Sequence, residues 1–202
     1  GVIELRWDVP SPEVLHELMR EPLPLGLRAG PLARTFYRDI YFDTVDGDLR
    51  KRDVSCRLRF DLEDRRWLGL WVHGKLEPTA VFAGTSGPAR RLRALVDPGH
   101  LLPRVELETE RHVRPARWRL LPLARCVFTY DQVTVRALEG SFGFQELVVR
   151  GRRWAMPPVA RLAPAIETQY ALRAVSGDRR ARAEELMSAV GSDQLARAVH
   201  SH

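Results

Sequence analysis

Residues 41–59, YFDTVDGDLRKRDVSCRLR, read as the end of one strand (Asp39–Phe42), a turn through Asp43–Gly47 and a second strand beginning about Val54. Side chains alternate across a strand, so Arg57 and Arg59, two residues apart, share a face. Two planar guanidinium forks aimed at one place suit a polyanion, because each takes two oxygens of a phosphate where a flexible lysine cannot. An Arg-x-Arg pair is also a common solvated face, so its meaning depends on the rest of the chain.

The chain has 202 residues, 45% of them hydrophobic, enough for one domain of ordinary size with a buried core. A single domain over 1–202 is expected, with 164–202 as its C-terminal helical part. No apolar run approaches the roughly 18 residues of a membrane span, and GVIELRWDVP at the start has no signal-peptide pattern. A soluble, cytoplasmic protein with no membrane partner is therefore expected. Cys56 and Cys126 lie far apart in apolar, strand-like surroundings, which predicts buried free thiols. The net charge is +6, and Lys51 and Lys75 are the only lysines among 32 basic residues. An arginine-dominated chain is compatible with an anionic ligand, nucleic acid or polyphosphate. With no helix-turn-helix, zinc-finger or aromatic-interleaved RNA-binding signature, nucleic acid is the disfavoured partner.

Along the chain, Val2–Val9 alternates, with Glu4, Arg6 and Asp8 on one face and Ile3, Leu5, Trp7 and Val9 on the other. Ser11, Pro12 and Glu13 signal a helix start, and the Pro- and Gly-rich segment 21–33 holds no regular element for long. Thr35–Phe42 is the next strand. After the opening stretch, a charged turn near residues 61–66 leads to Trp67–His73, where Gly69, Trp71 and His73 share a face, near Arg57 if the hairpin register is simple. Gly74–Gly87 shows no period, and Pro88–Val96 is helix-like with Arg90, Arg91 and Arg93 outward.

Arg104–Arg114 forms a strand with Val105, Leu107, Thr109 and Arg111 opposite Glu106, Glu108 and Glu110. Arg125–Leu138 reads as two strand-like runs with Asp131 between them. Glu139-Gly140 is a turn, and Phe142–Arg150 places Phe144, Glu146, Val148 and Arg150 on one face. Helices are expected from Pro164 onward, after Asp178 as N-cap, and after Ser192. About eight strands, most with one apolar and one charged face, fit two architectures. One is an open sheet with its polar faces in water. The other is a closed barrel with charged faces lining a wet lumen.

The order of motifs resembles the CYTH superfamily, the triphosphate tunnel metalloenzymes. The family's E-x-E-x-K strand is matched by Val2-Ile3-Glu4-Leu5-Arg6. Its YFDT segment, basic run and L-R-x-R-type strand are matched by Tyr41–Thr44, Leu49–Arg52 and Cys56–Arg59. A T-x-R strand resembles Thr109–Arg111, the aspartate Asp131, the E-x-E-x-E strand Glu146–Arg150, and the closing helix the one at Tyr170. The resemblance implies an α+β fold: a closed antiparallel eight-stranded β-barrel, or tunnel, with flanking and C-terminal helices.

It further implies a phosphohydrolase dependent on Mg2+ or Mn2+, acting on inorganic tripolyphosphate or on a nucleoside or thiamine triphosphate. Glu4 and Glu146 would hold the metal, with Asp131 as a catalytic aid. Arg6, Arg57, Arg59 and Arg111 would grip phosphate, assisted from the mouth by Arg50 or Arg52. The departures define an alternative. Val2 replaces the first acid and Arg6 the lysine of the opening motif, Val148 and Arg150 replace two acids of the last, and Trp71 stands where a lysine is usual. A tunnel thinned of carboxylates would bind a phosphate-rich ligand or a protein partner without turnover.

Overall fold

A computed structural model of the chain describes residues 1–76, 80–81, 87–118, 125–137, 140–176 and 179–187. The elements of the first half are β1 (Val2–Val9), α1 (Pro12–Leu18), β2 (Arg28–Ala29), β3 (Ala33–Asp43), α2 (Asp48–Lys51), β4 (Val54–Asp61) and β5 (Arg66–Val72). There follow β6 (Lys75–Leu76), β7 (Ala80–Val81), α3 (Gly87–Leu95), β8 (Leu102–Arg117), β9 (Arg125–Ala137), β10 (Gly140–Arg152), α4 (Val159–Tyr170) and β11 (Arg173–Ala174). Residues 179–187 are helical. No described helix is long and apolar enough to cross a membrane. The expected cap at Asp178, the turn at Glu139 and the helix after Ser192 lie outside the described residues.

The strands pair antiparallel in the order β11-β1-β10-β9-β8-β3-β4-β5-β6, with β2 on β8 and β7 on β5. The α+β antiparallel class is as expected, while the closed eight-stranded barrel is not confirmed. The paired path runs through nine strands to two ends, and among the described residues hydrogen bonds do not join those ends. Both end strands, β11 and β6, are two residues long and present few backbone groups for further pairing. The strand count also shifts because two-residue strands carry no readable alternation. Thus β6 and β7 fall in the segment expected to be a plain loop, and both pair with β5.

Two compact units make up the chain: Gly1–Phe36, Thr109–Thr134 and Phe142–Ser176 form the first; Tyr37–Glu108, Val135–Ser141 and Gly177–His202 the second. In the first unit, the apolar face of β1 buries Trp7 and Val9 in a core with Leu15, Leu18, Phe128, Leu147, Leu162 and Ile166. Helix α1 starts as its sequence predicts: Ser11 accepts a hydrogen bond from Val14 N at 3.2 Å, with Pro12 in the first turn. Helix α4 begins at Val159, ahead of the expected Pro164, which lies inside it.

The second unit has its own core of Leu49, Val54, Cys56, Leu68, Leu70, Ala89 and Leu92, with α3 contributing the last two. Arg90, Arg91 and Arg93 on α3 are exposed, as the helical period predicts. Cys56 and Cys126 are free and buried, and burial pushes both thiols up to about 12.

Candidate functional site

Within the second unit, the register of β3, β4 and β5 decides which side chains meet. Asp39 pairs with Arg59 and Tyr41 with Arg57 across β3 and β4; Arg57 pairs with Gly69 and Ser55 with Trp71 across β4 and β5. Residues directly opposite share a face, so Tyr37, Asp39, Tyr41, Ser55, Arg57, Arg59, Gly69 and Trp71 form one polar face. The opposite face carries Cys56, Leu68 and Leu70 into the core.

This polar face is also withdrawn from water. Asp39 is fully buried and holds Arg59 with both oxygens, at 2.7 Å from Nε and 2.9 Å from Nη2. The Arg59 guanidinium lies over the Tyr37 ring at 3.7 Å. Burial disfavours the Arg59 charge, but the bidentate bond to Asp39 outweighs it and raises the guanidinium pKa. Arg57 has the weaker position. Its Nε is 3.9 Å from Asp39, beyond hydrogen-bond reach, and this buried N–H has no hydrogen-bond partner among the described residues. Burial, then repulsion from Arg59, lowers its pKa.

Arg57 is instead stacked on Trp71, 4.5 Å from the ring centroid, as the expected placement of Trp71 beside Arg57 requires. Gly69 makes room for both, since a Cβ there would lie 3.1 Å from the Trp71 ring and 3.2 Å from Arg57 Nη2. The Ser55 hydroxyl, on the same face, is buried and also lacks a hydrogen-bond partner among the described residues. His73 does not join this face: β5 ends at Val72, and His73 has φ 49° in the following turn, near Asp53.

Arg52 is the residue expected to assist at a phosphate mouth. It caps α2, is exposed, and its guanidinium donates to the Leu95 carbonyl. Sequence reasoning missed Asp39, Tyr37 and Gly69. Asp39 and Tyr37 were within reach of the alternation counted from Tyr41, once Arg59 was placed on that face.

The first unit holds the remaining predicted residues in ion pairs. Glu4 is opposite Arg150, Arg6 opposite Val148 and Asp8 opposite Glu146 on β1 and β10. Arg6 Nε lies 2.9 Å from Glu146, which is fully buried. Arg150 donates to Glu4 from Nε at 2.9 Å and also from Nη2. Arg111 grips fully buried Asp131 with two bonds of 2.7 Å. Asp131 therefore sits inside the continuous strand β9, not between two strands as expected. The Arg111 fork satisfies both carboxylate oxygens, which lets an aspartate occupy mid-strand without breaking it.

These pairs bear directly on a divalent ion. A hard cation needs several carboxylate or carbonyl oxygens around one point. Among the described residues, no group of three or more His, Cys, Asp or Glu is placed to hold a metal. Glu4, Glu146 and Asp131 each face a guanidinium, so the donor set as folded does not fit Mg2+ or Mn2+.

No family model and no curated protein matches the chain in sequence. Solved structures do match. A Hippeastrum protein assigned as an adenylyl cyclase, HpAC1, with a dominant triphosphatase activity, superposes with TM-score 0.60 at 15% identity, covering 92% of this chain and 96% of that one. A protein from Bacillus halodurans assigned as an adenylate cyclase gives TM-score 0.59 at 17% identity, over 89% and 95% of the two chains. Another so assigned, from Vibrio parahaemolyticus, gives 0.51 at 13% identity, over 89% and 95%. At these identities the likeness is one of fold, and it is consistent with the resemblance to a divergent CYTH member that the order of motifs carries.

Proposed function

We propose that this protein binds an oligophosphate, of the triphosphate or polyphosphate class, through Arg57 and Arg59. The observation that carries the proposal is Arg57. It is a half-buried arginine whose buried Nε has no hydrogen-bond partner among the described residues, and both oxygens of Asp39, 3.9 Å away, are committed to Arg59. A cation partly withdrawn from water and only partly compensated, by Asp39 at 3.9 Å and the Trp71 ring, gains from an anion that completes it. A phosphate chain supplies several oxygens to adjacent forks, which matches their spacing on one strand face. Arg6 and Arg111 are proposed as further phosphate contacts of the same class of ligand.

Binding without turnover at the carboxylates is the form this reading takes, because Glu4, Glu146 and Asp131 serve as counter-ions to Arg150, Arg6 and Arg111. The second reading is a phosphohydrolase dependent on Mg2+ or Mn2+. It is favoured by the triphosphatase activity of the Hippeastrum protein. That reading requires Glu4 and Glu146 to leave their guanidinium partners.

Calorimetric titration of the protein with tripolyphosphate in EDTA tests the first reading. Saturable, salt-weakened binding is expected, and Arg57→Ala should raise Kd by about ten- to a hundredfold, the equivalent of one lost charge-assisted contact. A titration without heat or saturation refutes it. Phosphate release from tripolyphosphate or nucleoside triphosphates with Mg2+ or Mn2+, abolished by Glu146→Gln, would establish the second reading in its place.

A further inference from the structure

In the second unit, Ser55 is 8% exposed, and its Oγ, out of water's reach, has no hydrogen-bond partner among the described residues. A hydroxyl withdrawn from water without a partner costs stability, and an alanine of nearly the same shape would avoid that cost. Thr44, also buried in this unit, follows the usual rule and donates to Asp48 at 2.8 Å. A departure from the rule calls for an explanation in what the residue does.

The neighbours of Ser55 supply one. It lies directly opposite Trp71 across β4 and β5, and two residues from Arg57 on the same face. Arg57 is stacked on that same Trp71, 4.5 Å from the ring centroid. Its buried Nε is a second donor without a hydrogen-bond partner among the described residues, while 11% of its side chain stays exposed. A hydroxyl and a guanidinium N–H are therefore both left open at adjacent positions of one strand face, beside one ring. Positions two apart on a strand are separated by about 6.6 Å, a spacing that fits a tetrahedral phosphoryl group accepting a hydrogen bond of about 2.8 Å from each donor.

We infer that Ser55 is a ligand-binding residue of the Arg57–Arg59 site, its hydroxyl and Arg57 Nε together taking one phosphoryl group of the bound oligophosphate. The inference rests on the oligophosphate reading of that site. Arg57 keeps contact with solvent and Ser55 Oγ does not, so the phosphate chain meets the guanidinium first and the hydroxyl as it seats. Its entry breaks no hydrogen bond at either donor. The cost of burying the hydroxyl is borne by the ligand-free chain, and binding relieves it, so the same atom that weakens the fold strengthens the complex.

The test is calorimetric titration of the full chain, Ser55→Ala, Arg57→Ala and the double variant with tripolyphosphate in EDTA, alongside urea unfolding of each without ligand. Ser55→Ala should raise the Kd about tenfold, while its urea midpoint stays level or rises because the lost hydroxyl had no partner. A residue that merely holds the fold would show the opposite pattern. Because both donors serve one phosphoryl group, the double variant should lose less affinity than the product of the two single losses. If the natural chain binds and Ser55→Ala binds with the same Kd, this inference falls alone. It falls alone as well if the urea midpoint of Ser55→Ala drops, since the hydroxyl would then be bonded within the folded chain. Losses that multiply independently overturn the shared phosphoryl group. If the natural chain binds no tripolyphosphate, both readings fall.

Discussion

Asp39→Asn separates a site built for an anion from one that is merely an internal salt bridge. The substitution keeps the shape and one acceptor oxygen but removes the charge that faces Arg59 at 2.7 Å and Arg57 at 3.9 Å. At 3.9 Å and an effective dielectric constant of about 20, one such pair is worth about 4 kcal/mol before desolvation. Breaking a buried pair costs about 3–5 kcal/mol in measured cases, and the retained oxygen points to the lower end, about 3 kcal/mol. In chloride buffer the variant should unfold at a correspondingly lower urea concentration.

Tripolyphosphate should then restore stability, and by more in the variant than in the natural chain. A ligand bound only by the folded state stabilises it as RT ln(1 + [L]/Kd), and two uncompensated guanidiniums lower Kd. Each 1.4 kcal/mol of recovered attraction is tenfold in Kd. Urea unfolding followed by tryptophan fluorescence, with and without tripolyphosphate at low ionic strength, reads both effects. A variant within about 1 kcal/mol of the natural chain would refute the electrostatic argument. So would one that gains no more from the ligand.

The other predictions probe the surroundings of that face. Gly69→Ala forces a methyl to 3.1 Å from the Trp71 ring and 3.2 Å from Arg57 Nη2, so it should cost about 1 kcal/mol and weaken tripolyphosphate binding several-fold. Gly151→Ala is the contrast: its Cβ would lie 2.8 Å from Met156 Sδ and 3.2 Å from the Arg125 carbonyl, so stability should fall while binding is unchanged. Burial opposes ionisation of Asp43, but backbone bonds from Leu49, Thr44 and Arg50, with Arg180, hold its carboxyl below the ordinary 3.8. A depressed carboxylate contributes stability above its unfolded pKa and loses it as pH falls through the folded value. Asp43→Asn should therefore lower stability at neutral pH by about 2 kcal/mol and flatten the loss of stability below about pH 4, read by urea midpoints across pH. Cys56 and Cys126, with thiols raised to about 12, should resist iodoacetamide at pH 8 in the native protein and react in urea, counted by mass spectrometry.

The strands with a buried face were legible, because apolar and charged residues alternate there without ambiguity. Val2–Val9 is the clearest case, and Trp7 and Val9 are buried as the alternation requires. Elements held by tertiary contact were not legible. Strands β6 and β7 are two residues each and exist through pairing with β5. Pro164 reads as a helix start, since proline removes a backbone donor and crowds the preceding turn. Buried Leu162 and Ile166 on either side anchor α4 to the core, which lets it run through that proline. Asp131 reads as a break in a strand for a similar reason: its suitability for mid-strand depends on Arg111, twenty residues away.

The predicted site residues of each unit divide in the same way. That Arg57 and Arg59 share a face follows from alternation alone. Their partners depend on register, since a slip of one residue would turn Asp39 away from Arg59 and Glu4 away from Arg150. Once the register is known, the departures from the family pattern and the ion pairs are one fact. Arg150, standing where an acid is usual, lies opposite Glu4 and takes it. Arg6, with a fork where a lysine is usual, reaches diagonally to Glu146. A carboxylate held by a guanidinium fork contributes little to a cation, yet it orients that fork and keeps it charged. These substitutions leave guanidiniums held by carboxylates, and it is from such fixed arginines that anion binding is proposed.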